Sequence, residues 1–405
     1  MTDKPTSRLY HFDEQQLMPA EEKLEVMKSG KIISIGIPAN ASEDEQCLPF
    51  TPQAVEMLVN AGHEVKIESN AGIKARYSDL EYSEAGALVC KSKPEIFQCD
   101  FIIKVAPFSS DEIDLLRGNQ FIFSTLQIDF QSKECIQKLM HKKITAIAFE
   151  YLKDDTGHLP VMQSLSEIAG IVSMTVAGEL LSNCNKGKGV LFGGITGISP
   201  AELIILGADT AAEFATRSAL GLGAEVKIFD NSISKLRSFE RKFNQKIFTS
   251  LYYPRVLQKA LMSADVVLGA QPFNGVPQYV VPRDMIKNMK EGSVIIDLNA
   301  SQGGCFETTK CTSLSAPTYV SEGIIHYCVP NISARVSRTT TIALSNIIAS
   351  TLLEIDNMGG MLNYIRGMKG FREGVYIFNG LLTNRDVANK FGFPMKDLDL
   401  LISAF

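Results

Sequence analysis

From Lys31 onward the chain alternates short apolar runs with longer stretches in which apolar residues recur every three or four positions. The runs read as strands and the recurrences as helices. Strands are predicted at 31–38, 63–68, 100–105, 120–126 and 144–148. A helix is predicted from Thr51, with Thr51 as N-cap and Pro52 at the first helical position, and a short one over 79–85. Alternation of this kind favours a mostly parallel sheet covered by helices. The first 30 residues are polar, with one predicted helix from Pro19 to Lys28.

A second series follows. A long helix, Ser164 to Asn183, leads into a loop at 186–189 that reads as flexible. Strands are predicted at 202–207, 224–230, 264–270 and 293–298, with a helix over 210–222. From Ser337 to Phe405 the pattern is largely helical, and its first helix, Thr340 to Ile355, is expected to return the chain to the first unit. The expected fold class is therefore α/β, with two lobes of mostly parallel sheet separated by a cleft, the usual place for a ligand. Residues 1–163 and 338–405 would form one domain and 164–337 the other.

Composition narrows the function. Of 405 residues 45% are hydrophobic and 21% charged, which excludes a wholly disordered chain. Forty basic against 45 acidic residues give a net charge of −5, which argues against nucleic-acid binding. The start carries no apolar secretory core, and no uncharged run reaches the ~18 residues of a membrane span, so a cytoplasmic protein is expected. The longest apolar stretch, Ile168 to Leu181, contains Glu179 and reads as a buried helix. Eight cysteines lie apart, with no C-x-x-C, which favours reduced thiols and disfavours zinc. His63 and His158 read as surface residues, and Cys305 as a buried, inert thiol.

The segment Leu203-Ile-Ile-Leu-Gly-Ala-Asp-Thr-Ala-Ala212 stands between a predicted strand and helix, and Asp230 ends the next strand, 23 residues after Gly207. Strand, tight turn, helix, strand and terminal acid form the Rossmann arrangement, which seats a pyrophosphate on the helix N-terminus and a ribose hydroxyl on the acid. Gly207 fills the first glycine position and Ala212 the third. The second is Asp209, whose charge would oppose a pyrophosphate unless it turns away, for instance to cap the helix.

Several segments together resemble one family. They are Phe101-Ile-Ile-Lys-Val105, Leu165-Ser-Glu-Ile-Ala-Gly170, Phe192-Gly-Gly-Ile-Thr-Gly-Ile-Ser-Pro200, the Gly207 turn, Gly303-Gly-Cys-Phe-Glu307 and Tyr327-Cys-Val-Pro-Asn-Ile-Ser-Ala-Arg-Val336. Their content and order resemble the alanine dehydrogenase and transhydrogenase alpha-subunit family, and the last two lean towards alanine dehydrogenase. The resemblance implies a Rossmann domain set between the two ends of a substrate domain, NAD(H) as cofactor, and interconversion of L-alanine with pyruvate and ammonium. It also implies a homo-oligomer, or assembly with an active paralogue. By this resemblance the cofactor would meet Ser166, the turn residues Gly207, Ala208, Asp209, Thr210, Ala211 and Ala212, then Asp230, Lys235, Ala270, Leu298 and Asn331.

The resemblance also marks four catalytic positions. Its substrate lysine is matched by Lys104. Its arginine, four residues before Thr51, is Cys47, and a thiol makes no bidentate carboxylate clamp. Its histidine is Gln127, an amide that exchanges no proton near neutral pH. Its aspartate, two residues ahead of Gly303, is Ser301. Lys74 and Arg76, in a loop of the same domain, are the candidate replacements for the missing cation. Losing one general acid or base typically costs about 10²–10⁴-fold. Two readings follow: an NAD(H)-dependent oxidoreductase on a small amino or 2-oxo acid with weak alanine turnover, or a non-catalytic homologue that binds a metabolite or serves as a regulatory or structural subunit.

Overall fold

The computed structural model describes residues 32–404, apart from Ala41, Lys186 and 272–278. The predicted helix at 19–28 lies outside the described residues. In the first sheet, β1 (Ser34–Ile37), β2 (Glu64–Glu68), β3 (Leu88–Cys90), β4 (Phe101–Ile103), β5 (Phe121–Ser124) and β6 (Thr145–Ala148) are parallel, in the order β3-β2-β1-β4-β5-β6. Beyond β6 lie two antiparallel strands from the chain's far end, β14 (Val375–Phe378) and β15 (Leu381–Leu382).

The second sheet repeats the plan. The strands β7 (Glu202–Leu206), β8 (Glu225–Phe229), β9 (Phe248–Ser250), β10 (Val266–Gly269), β11 (Val294–Asp297) and β13 (Ile324–Tyr327) are parallel in the order β9-β8-β7-β10-β11-β13. The strand β12 (Thr318–Ser321) is antiparallel on the edge beside β13. Both parallel sets have the doubly wound order in which the connection reverses direction between the first and fourth strands, and ligands bind at that reversal.

Both faces of each sheet are buried, which is why the strands read as continuous apolar runs. Along β7, Leu203 and Ile205 enter the core under the Pro160–Leu181 and Thr210–Gly221 helices, while Ile204 and Leu206 enter the core under Pro254–Ser263. In the first sheet Phe101, Ile103 and Phe123 face one core and Ile102, Ile122 and Ala146 the other. Each such fully buried side chain contributes about 1.5–3 kcal/mol.

The Pro160–Leu181 helix is long and apolar enough to cross a membrane by length and composition alone. Here it packs on the Thr210–Gly221 helix, and Gly170 permits the approach: a Cβ there would overlap the carbonyl oxygen of Ala211. This helix begins four residues before its predicted start, and the return helix, Ser337–Asn357, begins three before. In the loop at 187–189, Lys188 Nζ is 2.5 Å from Asp265 Oδ1.

The C-terminal segment is largely helical, as expected, but it also carries a hairpin that the pattern did not predict. Asn379 and Gly380 both take positive φ, +47° and +79°, and turn β14 into β15. Asn-Gly is the dipeptide that favours such a hairpin turn. His63 is buried at 6% exposure, not at the surface, and neither ring nitrogen has a hydrogen-bond partner among the described residues. Burial lowers its pKa.

Candidate active site

The turn after β7 is built around Gly207. Its φ is +106°, and a Cβ would stand 2.7 Å from the carbonyl oxygen of Ala270 and 2.8 Å from Gln271 Cα. Only glycine fits. Ala212, fully buried, lets the Thr210–Gly221 helix sit close to the sheet. Asp230 follows β8 at 5% exposure. Its Oδ2 accepts from the Ala208 N–H at 3.0 Å and its Oδ1 from the Ser232 N–H at 2.7 Å. The acid expected at a ribose thus also clasps the turn to the neighbouring strand.

Asp209 has φ −99°, so its backbone needs no glycine, and its side chain does not cap the helix. Its Oδ2 instead lies 2.7 Å from Lys235 Nζ, on the next helix, Ile233–Glu240. Asp209 and Lys235 line an open cavity of about 270 Å³ with Thr210, Ser234, Phe239 and Lys242. Ala270 follows β10 and donates its N–H to the Leu206 carbonyl; Leu298 follows β11 and donates to Gly269. Ser166 and Ala211 are half-buried on their helices.

Tyr252, just past β9, went unremarked in the sequence. Its hydroxyl donates to Gln271 Oε1 at 2.7 Å, so it reaches from the end of β9 to the end of β10. Burial raises its pKa, and the nearby Cys305 and Asp230 add to that.

The four positions that the resemblance marks as catalytic stand on different elements of the two lobes. Lys104 follows β4 but is only 3% exposed, with its Nζ 2.6 Å from Glu112 Oε2. Glu112 is equally buried, and its other oxygen is 2.9 Å from Lys93 Nζ. It is held there by a capping box with Ser109 at the start of the Ser110–Leu115 helix. Burial lowers the Lys104 pKa, with Glu112 opposing. For Glu112, burial acts upward but is outweighed by Lys104 and the hydrogen bonds, so its pKa is lowered.

Cys47 is 1% exposed and donates its N–H to Glu45 Oε1 at 2.8 Å. Burial pushes its thiol pKa up, so no reactive thiolate stands there. Glu45 Oε2 accepts from Asn331 Nδ2 at 2.8 Å, which joins the first lobe to the second. Asn331, expected at the cofactor, is thus held by a carboxyl of the other lobe. Burial raises the pKa of Glu45, opposed by its bonds to Cys47 and the Lys104 charge.

Gln127 is exposed, with φ +43°, just after β5. Its N–H and that of Leu126 donate to Glu150 Oε1 at 2.9 and 2.8 Å. Glu150 Oε2 is buried without a partner among the described residues, and burial raises this group's pKa. Ser301 is half-buried in a single helical turn, Ala300–Gln302, after β11 in the second lobe.

Cys47 thus bonds Glu45 through its backbone, Lys104 pairs with Glu112, Gln127 follows β5, and Ser301 follows β11 in the other lobe. The two candidate replacement cations, Lys74 and Arg76, are both exposed; Lys74 Nζ donates to the Ser42 carbonyl at 2.9 Å, and the Arg76 backbone carbonyl accepts from Arg338. Glu45, Glu112, Glu150 and Tyr252 escaped the sequence reading because no motif singles them out. Cys305 is buried with its pKa pushed up to about 12 by burial, as expected for an inert thiol. A larger cavity of about 750 Å³, lined by Ile171, Met174, Leu191, Phe192 and Leu222 among others, has no ionisable side chain in its wall among the described residues.

Comparison with known proteins agrees with this architecture. Residues 36–169 match the family described as "Alanine dehydrogenase/PNT, N-terminal domain", and 173–385 match "Alanine dehydrogenase/PNT, C-terminal domain". An "Alanine dehydrogenase" of Staphylococcus epidermidis is 35% identical over 379 residues, covering 91% of this chain and 99% of that one. "Alanine dehydrogenase 2" of Staphylococcus aureus is 33% identical over 369 residues, with the same coverage. Among solved structures, an L-alanine dehydrogenase aligns with TM-score 0.83 and 32% identity, over 89% of this chain and 99% of that chain. A transhydrogenase from Sinorhizobium meliloti shares the fold, with TM-score 0.73 and 20% identity over 87% and 99%. The chain belongs to the alanine dehydrogenase/PNT family.

Proposed function

We propose that the chain is an NAD(H)-binding oxidoreductase of the alanine dehydrogenase kind, acting on a small amino acid or its 2-oxo acid, with alanine deamination strongly weakened. One observation carries the cofactor part: the Gly207 turn has no room for a Cβ and is clasped by Asp230, which suits a dinucleotide. When bound, NAD would supply the hydride acceptor. Thr210 and the N–H groups of its helix would face the pyrophosphate and Asp230 the ribose, with Lys235 beside the turn. Ala270, Leu298 and Asn331 would lie farther along the strand ends.

The weakened alanine chemistry is supported by the other positions. Gln127 orients a polar group but moves no proton at neutral pH. Ser301 can hold a water but carries no charge. Lys104 is engaged by Glu112, and Cys47 offers no clamp. The same features support a second reading, a non-catalytic homologue that binds a metabolite. For assembly, a homo-oligomer is supported by apolar surface on the second lobe, where Ile171, Leu191, Ile195, Ile198 and Leu222 are all exposed. Pairing with an active paralogue would use the same surface.

The test is an NADH titration followed by nicotinamide fluorescence, which is free of tryptophan background because the chain has no Trp. NADH oxidation with pyruvate and ammonium is then compared between the wild type and Cys47→Arg/Gln127→His/Ser301→Asp. Binding is expected, with the triple variant faster by about 10²-fold or more. Binding without turnover on any small 2-oxo acid would favour the second reading. Absence of binding up to millimolar NADH would remove the cofactor.

A further inference from the structure

Asp209 stands where a dinucleotide turn must admit phosphates, yet the structure neither aims it at the helix N-terminus nor leaves it free. Its carboxylate holds the ammonium of Lys235 at 2.7 Å, and both side chains remain partly exposed, at 36% and 41%. Both line the 270 Å³ cavity beside the turn. Lys242, the other lysine of that cavity, is engaged in the same way by Glu213, at 2.5 Å. Glu213 is also 2.8 Å from Arg217, so that carboxylate serves two cations and is anchored away from the turn. Of the carboxylates engaging the two cavity lysines, Asp209 is the one carried by the turn itself.

We propose that Asp209 is a displaceable internal counter-ion that sets cofactor affinity. It pairs with Lys235, and an incoming phosphate-bearing nucleotide takes over that ammonium while the Asp209 carboxylate swings to solvent. The inference rests on the dinucleotide reading above and names its affinity-determining residue. Three structural facts carry it. The Asp209 backbone is unstrained, so its side chain moves without disturbing the turn. Its exposure leaves water to receive the released charge. Asp230, which holds the turn, bonds Ala208 and Ser232 independently of Asp209.

A unit charge about 6 Å from a phosphate at an effective dielectric near 40 changes affinity by about tenfold. The experiment measures NADH and adenosine binding to the wild type, Asp209→Asn and Lys235→Met. Asp209→Asn is expected to tighten NADH about tenfold, to leave adenosine unchanged, and to make NADH affinity fall more steeply with salt. Lys235→Met is expected to weaken NADH at least tenfold, by leaving Asp209 unpaired beside the phosphates.

If Asp209→Asn weakens both ligands, the carboxylate positions Lys235 for the ribose and the proposal is overturned. Unchanged NADH affinity in that variant overturns it equally. If neither the wild type nor Asp209→Asn binds NADH up to millimolar concentration, the dinucleotide reading itself fails and this inference with it.

Discussion

Replacing Glu112 by alanine removes the only carboxylate within ion-pair distance of Lys104 among the described residues. Both side chains are 3% exposed, so the lysine would be left charged inside the lobe, a situation that typically costs about 3–5 kcal/mol. Loss of the capping box at Ser109 adds about 1 kcal/mol. The lysine has one escape, which is to release its proton. From an ordinary pKa near 10.4, neutralisation at pH 7 costs about 4.6 kcal/mol, falling by about 1.4 kcal/mol for each pH unit above that. Glu112→Ala is therefore expected to lose about 4–5 kcal/mol at pH 7 and about 2–3 kcal/mol at pH 9.

The sign is that of a lysine whose folded-state pKa lies below its unfolded one: stability of the variant rises with pH. Urea unfolding followed by far-ultraviolet circular dichroism at the two pH values measures this. Lys104→Met/Glu112→Leu, which removes both charges, should recover most of the loss. A cost below about 1 kcal/mol at pH 7, or no dependence on pH, would show that Lys104 reaches solvent and is free to hold a substrate carboxylate. In that event the argument for weakened alanine chemistry loses its lysine.

Gly207→Ala places a Cβ against Ala270 and Gln271 at positive φ; it should cost about 1–3 kcal/mol and reduce NADH affinity at least tenfold, by thermal melting and titration. Glu150 has its pKa raised by burial, so the stability linked to its protonated form is present below pH ~4.3 and is lost as pH rises through its folded-state pKa. Glu150→Gln should therefore match the wild type near pH 4 and melt higher at pH 8; equal melting at both would refute a raised pKa. With a thiol reagent on native protein, Cys184 and Cys311 should react within minutes and Cys305 only on unfolding, as read by mass spectrometry of the labelled peptides.

The sheets were legible because their central strands are apolar on both faces, and a parallel strand buried twice announces itself as a run such as Leu203 to Leu206. The Gly207 turn was legible for a related reason, since one residue type answers one backbone need. Shorter pieces were not. The strands β9, β12 and β13 are three or four residues long and resemble loops in periodicity. The hairpin between β14 and β15 had a clear Asn379-Gly380 signal that the surrounding helical pattern hid.

Side-chain direction was the least legible. Nothing in the sequence tells that Asp209 turns to Lys235, because that contact depends on how two helices pack. Lys104 at a strand end looks available until the Ser110–Leu115 helix brings Glu112 over it. His63 looks exposed beside charged neighbours, yet it lies under the return helix, near Asp356.

The placement of β14 has a consequence for how the chain is made. The first sheet receives its antiparallel edge from residues that leave the ribosome roughly 230 positions after β6. At about 5–20 residues per second this is a wait of roughly 10–45 s. During that time β6, apolar and buried on both faces in the finished protein, has an unpaired side, and the return helix that seals the core over β1 has not been made. The second lobe, by contrast, is encoded without interruption and can complete its own sheet within the wait. The lobe begun first is thus finished last, and its nascent form is the stage at which a chaperone has most to protect.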